Sequence, residues 1–525
     1  MDEQAQITIV ERGPYVSFAN CGLPYFIGGV IEREASLLVA NPALFRERFG
    51  IEVRTESEVL AIDRERKEVE IRHDGKTARE PYDFLVLSPG ASPVKPPLPG
   101  IDLPGIFTVR TIPDSRAIRE WMTVHEVKEA VVVGGGFIGL EMAENLVHLG
   151  KAVTIVEMLP QVMPPLDPEV AAAVQKHLTA SGVQLALGDG VAEFASREDG
   201  KIDVITQSGK RHAAGLVILA IGVRPETRLA REAGLELGAR GGIRVNSRMQ
   251  TSDPSIYAVG DAVESEDAIL GGATLVPLAG PANRQGRIAA DAICGRDSTF
   301  RGIQGTAICG LFGMAVASTG ASEKSLKRAG IEDYEKIYIH PGSHAGYYPG
   351  AHRMMLKLIF QKTDGRILGA QAVGLDGVDK RIDVIAMAIQ KAGTVFDLEE
   401  AELCYAPQYG GAKDPVNFAG MVAADVLRGD MPLVHWTEPT TDNTLFLDVR
   451  DEDEFAEGHY PGALNIPLGS LRARWEDIPP TDDLRVYCAV GLRGYVACRI
   501  LLQHGRQARN LSGGFSMTPL IGQTR

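Results

Sequence analysis

The sequence predicts an α/β protein with two three-layer strand–helix–strand units, a mixed α+β segment and a small α/β unit at its C-terminus. Three observations predict it. Residues 130–157 carry a complete βαβ pattern around Gly134-x-Gly136-x-x-Gly139. Thr8-Ile9-Val10-Glu11 recurs as Thr154-Ile155-Val156-Glu157, an internal repeat of the same kind of unit. Beyond residue 300 the alternation becomes a mixed pattern, and it returns at 443–525.

The length of 525 residues suggests three or four domains. With 45% hydrophobic and 23% charged residues the chain should be a soluble globular protein, with no stretch approaching a membrane span and no signal segment, hence cytoplasmic. A net charge of -14 argues against nucleic acid, which needs a basic face. Six scattered cysteines, with no Cys-x-x-Cys pair, fit neither a disulfide scaffold nor a metal site. They suit a reducing compartment with one or two cysteines kept for chemistry. Cys294, Cys309 and Cys498 have no motif and read as packing residues. Cys404 borders a candidate tyrosine.

Taken in order, Phe84–Leu87 followed by Ser88-Pro89-Gly90 reads as a strand ending at a nucleotide crevice. Ala130–Val133 is a buried strand, Gly134–Gly139 a turn, Leu140–Leu149 a helix and Val153–Val156 a second strand. Val217–Ala220 is a further strand, and Ile256–Val259 leads into Gly260-Asp261. Residues 429–442 read as a linker.

The strand–glycine turn–helix context makes Gly134, Gly136 and Gly139 a dinucleotide fingerprint: a tight turn, close approach to pyrophosphate, and a helix N-terminus facing negative charge. Glu157 closes the next strand and would accept hydrogen bonds from the adenosine ribose. A carboxylate there repels a 2′-phosphate, so NADH is favoured over NADPH. Glu11 repeats that role in the first copy. Its own glycine would fall 23 residues before Glu11, the Gly134–Glu157 spacing, and so ahead of Met1. The sequence as given is therefore expected to start after the opening strand and glycine loop of this copy, through truncation or a misplaced start. The alternative is a protein whose first copy binds its nucleotide weakly or not at all.

Ser17-Phe18-Ala19-Asn20-Cys21-Gly22-Leu23-Pro24-Tyr25, Tyr257-Ala258-Val259-Gly260-Asp261 and Ala282-Asn283-Arg284-Gln285-Gly286 resemble the coenzyme A disulfide reductase branch of the pyridine-nucleotide disulfide oxidoreductases over residues 5–425. The resemblance implies FAD, with Gly260 and Asp261 at the ribityl chain. It implies electrons passing from NADH through flavin to a sulfur–sulfur bond on Cys21. It implies Ser17 and Asn20 as substrate-binding residues. It also implies a homodimer in which Tyr347 and Tyr405 reach the partner's thiol substrate, with Tyr348 and Tyr409 as competitors for those roles. Because Cys21 has no nearby second cysteine, a mixed disulfide or persulfide is expected on it. A phenol near the sulfur can protonate the leaving thiolate.

Residues 443–525 resemble a single rhodanese domain, in Leu447-Asp448-Val449-Arg450, Gly458-His459-Tyr460-Pro461-Gly462-Ala463 and Leu511-Ser512-Gly513-Gly514. A strand delivers Cys488 into a loop ahead of a helix, whose amides would stabilise a thiolate or persulfide. Four residues separate Cys488 from Arg493, a cation at the rim. Cysteine phosphatases use a longer loop, so sulfane sulfur is favoured.

The expected architecture is thus an FAD-binding domain (1–110 and 229–300), an NAD-binding domain (111–228), an α+β dimerisation domain (301–428), a linker (429–442) and a rhodanese domain (443–525). The expected activity is NADH-dependent reduction of a CoA-type disulfide, persulfide or polysulfide, without metal, nucleic acid or membrane. Two alternatives are a sulfurtransferase on a flavin-free scaffold, and an NADH oxidase or peroxidase.

Overall fold

The computed structural model describes residues 2–522; residues 523–525, the end of the last expected domain, lie outside it. The chain forms two compact units, residues 1–162 with 179–305, and residues 163–178 with 306–525.

In the first unit the glycine turn belongs to a five-stranded parallel sheet. Its order is Ile106–Thr108, Leu216–Leu219, Glu129–Val133, Ala152–Glu157, Gln184–Leu187. The apolar run 130–133 suits an inner strand, covered on both faces, and all four residues are buried. Val131 pairs with Thr154 on one side and Val217 on the other. Helix Phe137–His148 buries Leu140, Met142, Ala143 and Leu146.

The other repeat copy is built differently. Thr8–Val10 pairs in parallel with Glu52–Arg54, and Leu85–Leu87 with Ile256–Ala258, as two separate two-stranded sheets. Val86 is 43% exposed within its Leu-Val-Leu strand. An antiparallel sheet of Ser57–Asp63, Glu68–His73 and Lys76–Pro81 completes this region.

Among the described residues the second unit holds two sheets. One is antiparallel, in the order Ala307–Leu311, Met314–Gly320, Ile367–Gly374, Met354–Phe360, Glu335–Ile339. Of its three inner strands, Met354–Phe360 and Ile367–Gly374 are buried throughout. Residues 163–178, expected inside the NAD-binding domain, belong to this unit instead. The reason is polar: the Asp167 carboxylate accepts from the backbone of Glu323 (3.1 Å) and from the Gln371 side chain (2.7 Å).

The last sheet is parallel, in the order Leu433–Val434, Arg509–Leu511, Asp483–Tyr487, Thr444–Asp448, Leu464–Asn465. Its first strand lies inside the stretch expected as a linker. Leu433 and Val434 pair with Asn510 and Leu511, and Trp436 stacks on Phe446, so apolar side chains draw this segment into the domain. Among the described residues no helix is long and apolar enough to cross a membrane.

Candidate active sites

The nucleotide turn is set by what its glycines exclude. Gly134 has φ +106°, and a Cβ there would meet the Ala220 carbonyl oxygen at 2.4 Å. A Cβ on Gly139 would meet the Gly134 carbonyl oxygen at 2.0 Å. Gly136 caps the N-terminus of helix Phe137–His148 and faces open space, so an anion can approach its backbone. Glu157 is buried at the end of its strand, and its carboxylate accepts from Gly135 N (2.7 Å) and Leu159 N (2.8 Å). This leaves lone pairs for ribose hydroxyls and anchors a negative charge beside the turn.

Cys21 lies in the single-turn helix Asn20–Gly22, which runs into helix Leu23–Ile27. Leu23, Phe26 and Ile27 are buried, whereas Cys21 and Asn20 are exposed. Ala19 N donates to Leu37 O (2.8 Å), and a Cβ on Gly22 would press on Leu37 at 2.7 Å. The thiol is thus presented to solvent from an anchored turn. Ser17 lies in a strand pair with Leu38–Ala40 and is half-buried. No other cysteine precedes Cys294.

Glu141 is a feature the sequence reading missed. It lies two residues beyond Gly139, within reach of the Tyr25 hydroxyl (3.5 Å). Burial pushes its carboxyl up to about 7, the Tyr25 hydrogen bond opposing. Between the ordinary value of 4.5 and 7 the folded protein keeps a proton that the unfolded chain releases. Stability therefore falls as pH rises through that window, by up to about 3 kcal/mol. Glu141→Gln should remove this slope. Thermal midpoints of cofactor-free protein should rise at pH 8 and stay unchanged at pH 4.

Asp261 follows strand Ile256–Ala258 in a single-turn helix, Gly260–Ala262. Burial raises its carboxyl, and Arg110 opposes this. Gly260 N donates to Gln285 Oε1 (2.8 Å), and Gln285 Nε2 to Ser265 Oγ (3.0 Å), so the Ala-Asn-Arg-Gln-Gly phrase braces this turn. Glu11 Oε1 accepts from Gly13 N (2.6 Å), the same arrangement as Glu157 with Leu159.

In the second unit the Tyr347 and Tyr405 hydroxyls meet at 2.8 Å, both rings exposed. The Tyr405 hydrogen bond raises the Tyr347 phenol. Tyr348 turns away and sets its ring edge-on to His344 at 5.7 Å. Cys404 is exposed beside this pair.

Cys488 is buried at the end of strand Asp483–Tyr487. Gly491, with φ +107°, caps helix Leu492–Gln503 and donates its N–H to Cys488 Sγ at 3.1 Å. Arg493 is bound through Nη1 and Nη2 to Glu454 (2.6 and 2.7 Å), so a carboxylate offsets the rim charge expected there. Burial, with Cys488 adding to it, pushes the Cys498 thiol well up, and Cys309 is also buried. Cys294, expected to pack, is exposed at the C-cap of helix Ala279–Ile293, on the solvent side of its last turn.

Asp167, Glu169 and Glu323 place carboxylate oxygens within 4.8 Å of one another, a spacing suited to a cation. The Lys357 ammonium sits among them, donating at 2.8, 2.5 and 2.5 Å. No local pattern points to this group, whose members are scattered between residues 167 and 357.

The pyridine nucleotide-disulphide oxidoreductase family matches residues 2–286. The chain belongs to this family. Its dimerisation domain matches 306–414, and the rhodanese-like domain matches 435–517. A relative named NADH oxidase in Methanocaldococcus jannaschii is 36% identical, over 81% of this chain and 94% of its own length. A coenzyme A disulfide reductase of Staphylococcus haemolyticus is 34% identical, over 81% and 95%. The crystal structure of reduced CoADR-RHD of Bacillus anthracis superposes with a TM-score of 0.97 at 46% identity, covering 100% of this chain and 95% of that one. The NAD-dependent persulfide reductase of A. fulgidus gives 0.93 at 38%, covering 98% and 96%.

As a member of this family the chain is an oxidoreductase that uses FAD and NAD(P)H, with a rhodanese-like domain joined to it. The turn 134–139 with Glu157 fits a nicotinamide dinucleotide. For FAD, Glu11 directly follows strand Thr8–Val10 and Asp261 lies three residues beyond strand Ile256–Ala258, where a carboxylate can meet hydroxyl groups. Gly90, with φ +72°, brings its backbone close to Arg110, where a Cβ would lie 2.7 Å from the guanidinium.

Proposed function

We propose that this protein is a homodimeric, NADH-dependent reductase of coenzyme A-type disulfide or persulfide sulfur, acting through Cys21, with a sulfurtransferase centre at Cys488. The observation that carries the reading is an exposed cysteine on an anchored helical turn, with no second cysteine in its neighbourhood. A lone thiol cannot close an intramolecular disulfide, so its oxidised form is either bonded to an external sulfur or, with peroxide as oxidant, a sulfenic acid, and the fused rhodanese-like domain favours sulfur.

A bound FAD would supply the two-electron link between NADH and sulfur. The residues of the chain do the rest. Gly134, Gly136, Gly139 and Glu157 hold the nicotinamide dinucleotide, Glu11, Gly260 and Asp261 the flavin, and Ser17 and Asn20 the thiol substrate. The Cys21 thiolate attacks the S–S bond of the substrate. A phenol of the Tyr347–Tyr405 pair, reaching across the dimer from the other subunit, supplies the proton to the leaving sulfur. For a persulfide the sum is RSSH + NADH + H⁺ → RSH + H₂S + NAD⁺, and for a disulfide RSSR + NADH + H⁺ → 2 RSH + NAD⁺. The test is anaerobic NADH oxidation with CoA persulfide, CoA disulfide or hydrogen peroxide as sole acceptor. The sulfur substrates should support turnover. Turnover with peroxide alone would reverse the reading in favour of a peroxidase.

Glu157 should set nucleotide preference. Glu157→Ala removes acceptors for the ribose and the charge that opposes a 2′-phosphate. KM for NADH should rise about tenfold or more with kcat little changed, and the gap to NADPH should narrow. Initial rates with both nucleotides check this.

A further inference from the structure

One turn of the rhodanese-like domain faces two ways. On its inner side, residues 510–516 hold the Cys488 loop. Phe515 N donates to Cys488 O at 2.7 Å, and Ser516 N and Oγ both donate to Ala489 O at 3.0 and 2.8 Å. Asn510 Nδ2 donates to Gly491 O at 3.1 Å, on the residue whose amide holds Cys488 Sγ. Gly514, with φ +65°, lies so close that a Cβ would be 2.5 Å from Cys488 O.

On its outer side the same turn rests on the edge strand Glu335–Ile339 of the antiparallel sheet. Tyr338 N donates to Ser512 Oγ at 3.2 Å. Gly513 packs on Tyr338, where a Cβ would lie 2.9 Å from the Tyr338 Cβ. His340, two residues on and so on the same face, hydrogen-bonds the Gly513 backbone, while its Nε2 is buried and unpartnered. Burial, and Arg353 beside it, hold that imidazole down at about 4, so it is neutral at working pH.

Tyr338 is itself held in place. Its hydroxyl donates to Glu169 at 2.8 Å, and the Lys357 ammonium lies 5.2 Å from its ring centroid. His435 sets its ring edge-on to Tyr338 at 6.3 Å, and its Nε2 lies 2.9 Å from Glu335 on the same strand. The strand is thus anchored to the buried ion cluster, and an edge that would otherwise be unpaired is covered by the turn.

We infer that Tyr338 and His340 of the dimerisation domain are positioning residues for sulfur transfer at Cys488, acting through Ser512 and Gly513 on the loop whose amides face the sulfur. This rests on the sulfurtransferase reading of Cys488. Loop amides stabilise a thiolate only if they stay aimed at it, and a displacement of a fraction of an ångström weakens them.

The experiment uses the full chain and two readouts. The first is thiosulfate-to-cyanide transfer. The Cys488 thiolate attacks the outer sulfur of S₂O₃²⁻, SO₃²⁻ leaves, and CN⁻ takes the sulfur from the persulfide as SCN⁻. The second is the pH profile of iodoacetamide alkylation at Cys488, read by mass spectrometry of its peptide. His340→Ala and Ser512→Ala should each lower the transfer rate about tenfold and move the Cys488 alkylation profile to higher pH. His340→Asn, which can still donate to the Gly513 carbonyl, should restore both. NADH-dependent reduction at Cys21 should be unchanged in all three. An unchanged alkylation profile in both His340→Ala and Ser512→Ala would overturn the inference. Absence of thiocyanate from the unaltered protein would instead overturn the sulfurtransferase reading, and the alkylation profile would still decide the positioning role.

Discussion

Cys21→Ser should lower persulfide-dependent NADH oxidation by at least about a thousandfold, because an alcohol near neutral pH offers almost no oxyanion where a thiol offers a few per cent thiolate. The loss should fall on kcat and kcat/KM together, since the missing bond forms only along the reaction path. Fold and stability should be spared. Cys21 is exposed, and its turn is held by Leu23, Phe26 and Ile27 and by the Ala19–Leu37 hydrogen bond. Nucleotide binding should also be intact, because the turn 134–139 does not include it. Stopped-flow measurement with and without CoA persulfide separates the two halves of the reaction. Retention of wild-type turnover would exclude Cys21 as the nucleophile.

Lys357→Met should destabilise the second unit by about 3–5 kcal/mol, the usual cost of removing one partner from a buried ion cluster. Lys357 is 0% exposed and donates to Asp167, Glu169 and Glu323. Methionine leaves three crowded carboxylates without their shared cation. The pH dependence identifies the cause. Burial alone would push the Glu323 carboxyl up, but Lys357 and Lys336 hold it down at about 2. In the native protein this contribution is present above pH 4.5 and is lost as pH falls from there towards 2. In the variant Lys336 still pairs with Glu323, but the charge shared by all three carboxylates is gone, so the deficit should be largest near pH 8 and shrink towards pH 5 as they take up protons. Urea midpoints across that range test it. A uniform deficit would indicate lost packing instead of lost charge compensation. The Lys357-Glu169-Tyr338 chain leads to the turn that holds the Cys488 loop, so sulfur transfer should fall in the same variant.

The readable parts of this protein are those whose chemistry is written in consecutive residues. Gly134, Gly136 and Gly139 are required by close backbone approaches within one turn, and the strand before them is apolar because both its faces are covered. Cys21 and Cys488 could be placed for the same reason: each is delivered by its own local strand or turn. Trp436 shows the limit. Its segment carries the Pro and Gly of a linker, yet it stacks on Phe446, a partner whose position depends on the closed sheet.

Arg493 shows it again, because a basic residue beside a reactive loop carries no sign of the Glu454 that binds it. Glu141 stands in a helix already recognised, but its raised pKa comes from enclosure, and enclosure depends on which face of the helix is covered. Lys357 lies in a run of apolar residues and reads as an outlier until Asp167, Glu169 and Glu323 are brought around it. Turn geometry and nucleophile identity are short-range properties, governed by φ, ψ and the bonds of neighbouring peptides. Burial, charge compensation and the seating of one domain's loop on another's strand are sums over atoms far apart in the chain, and they exist only once it has folded.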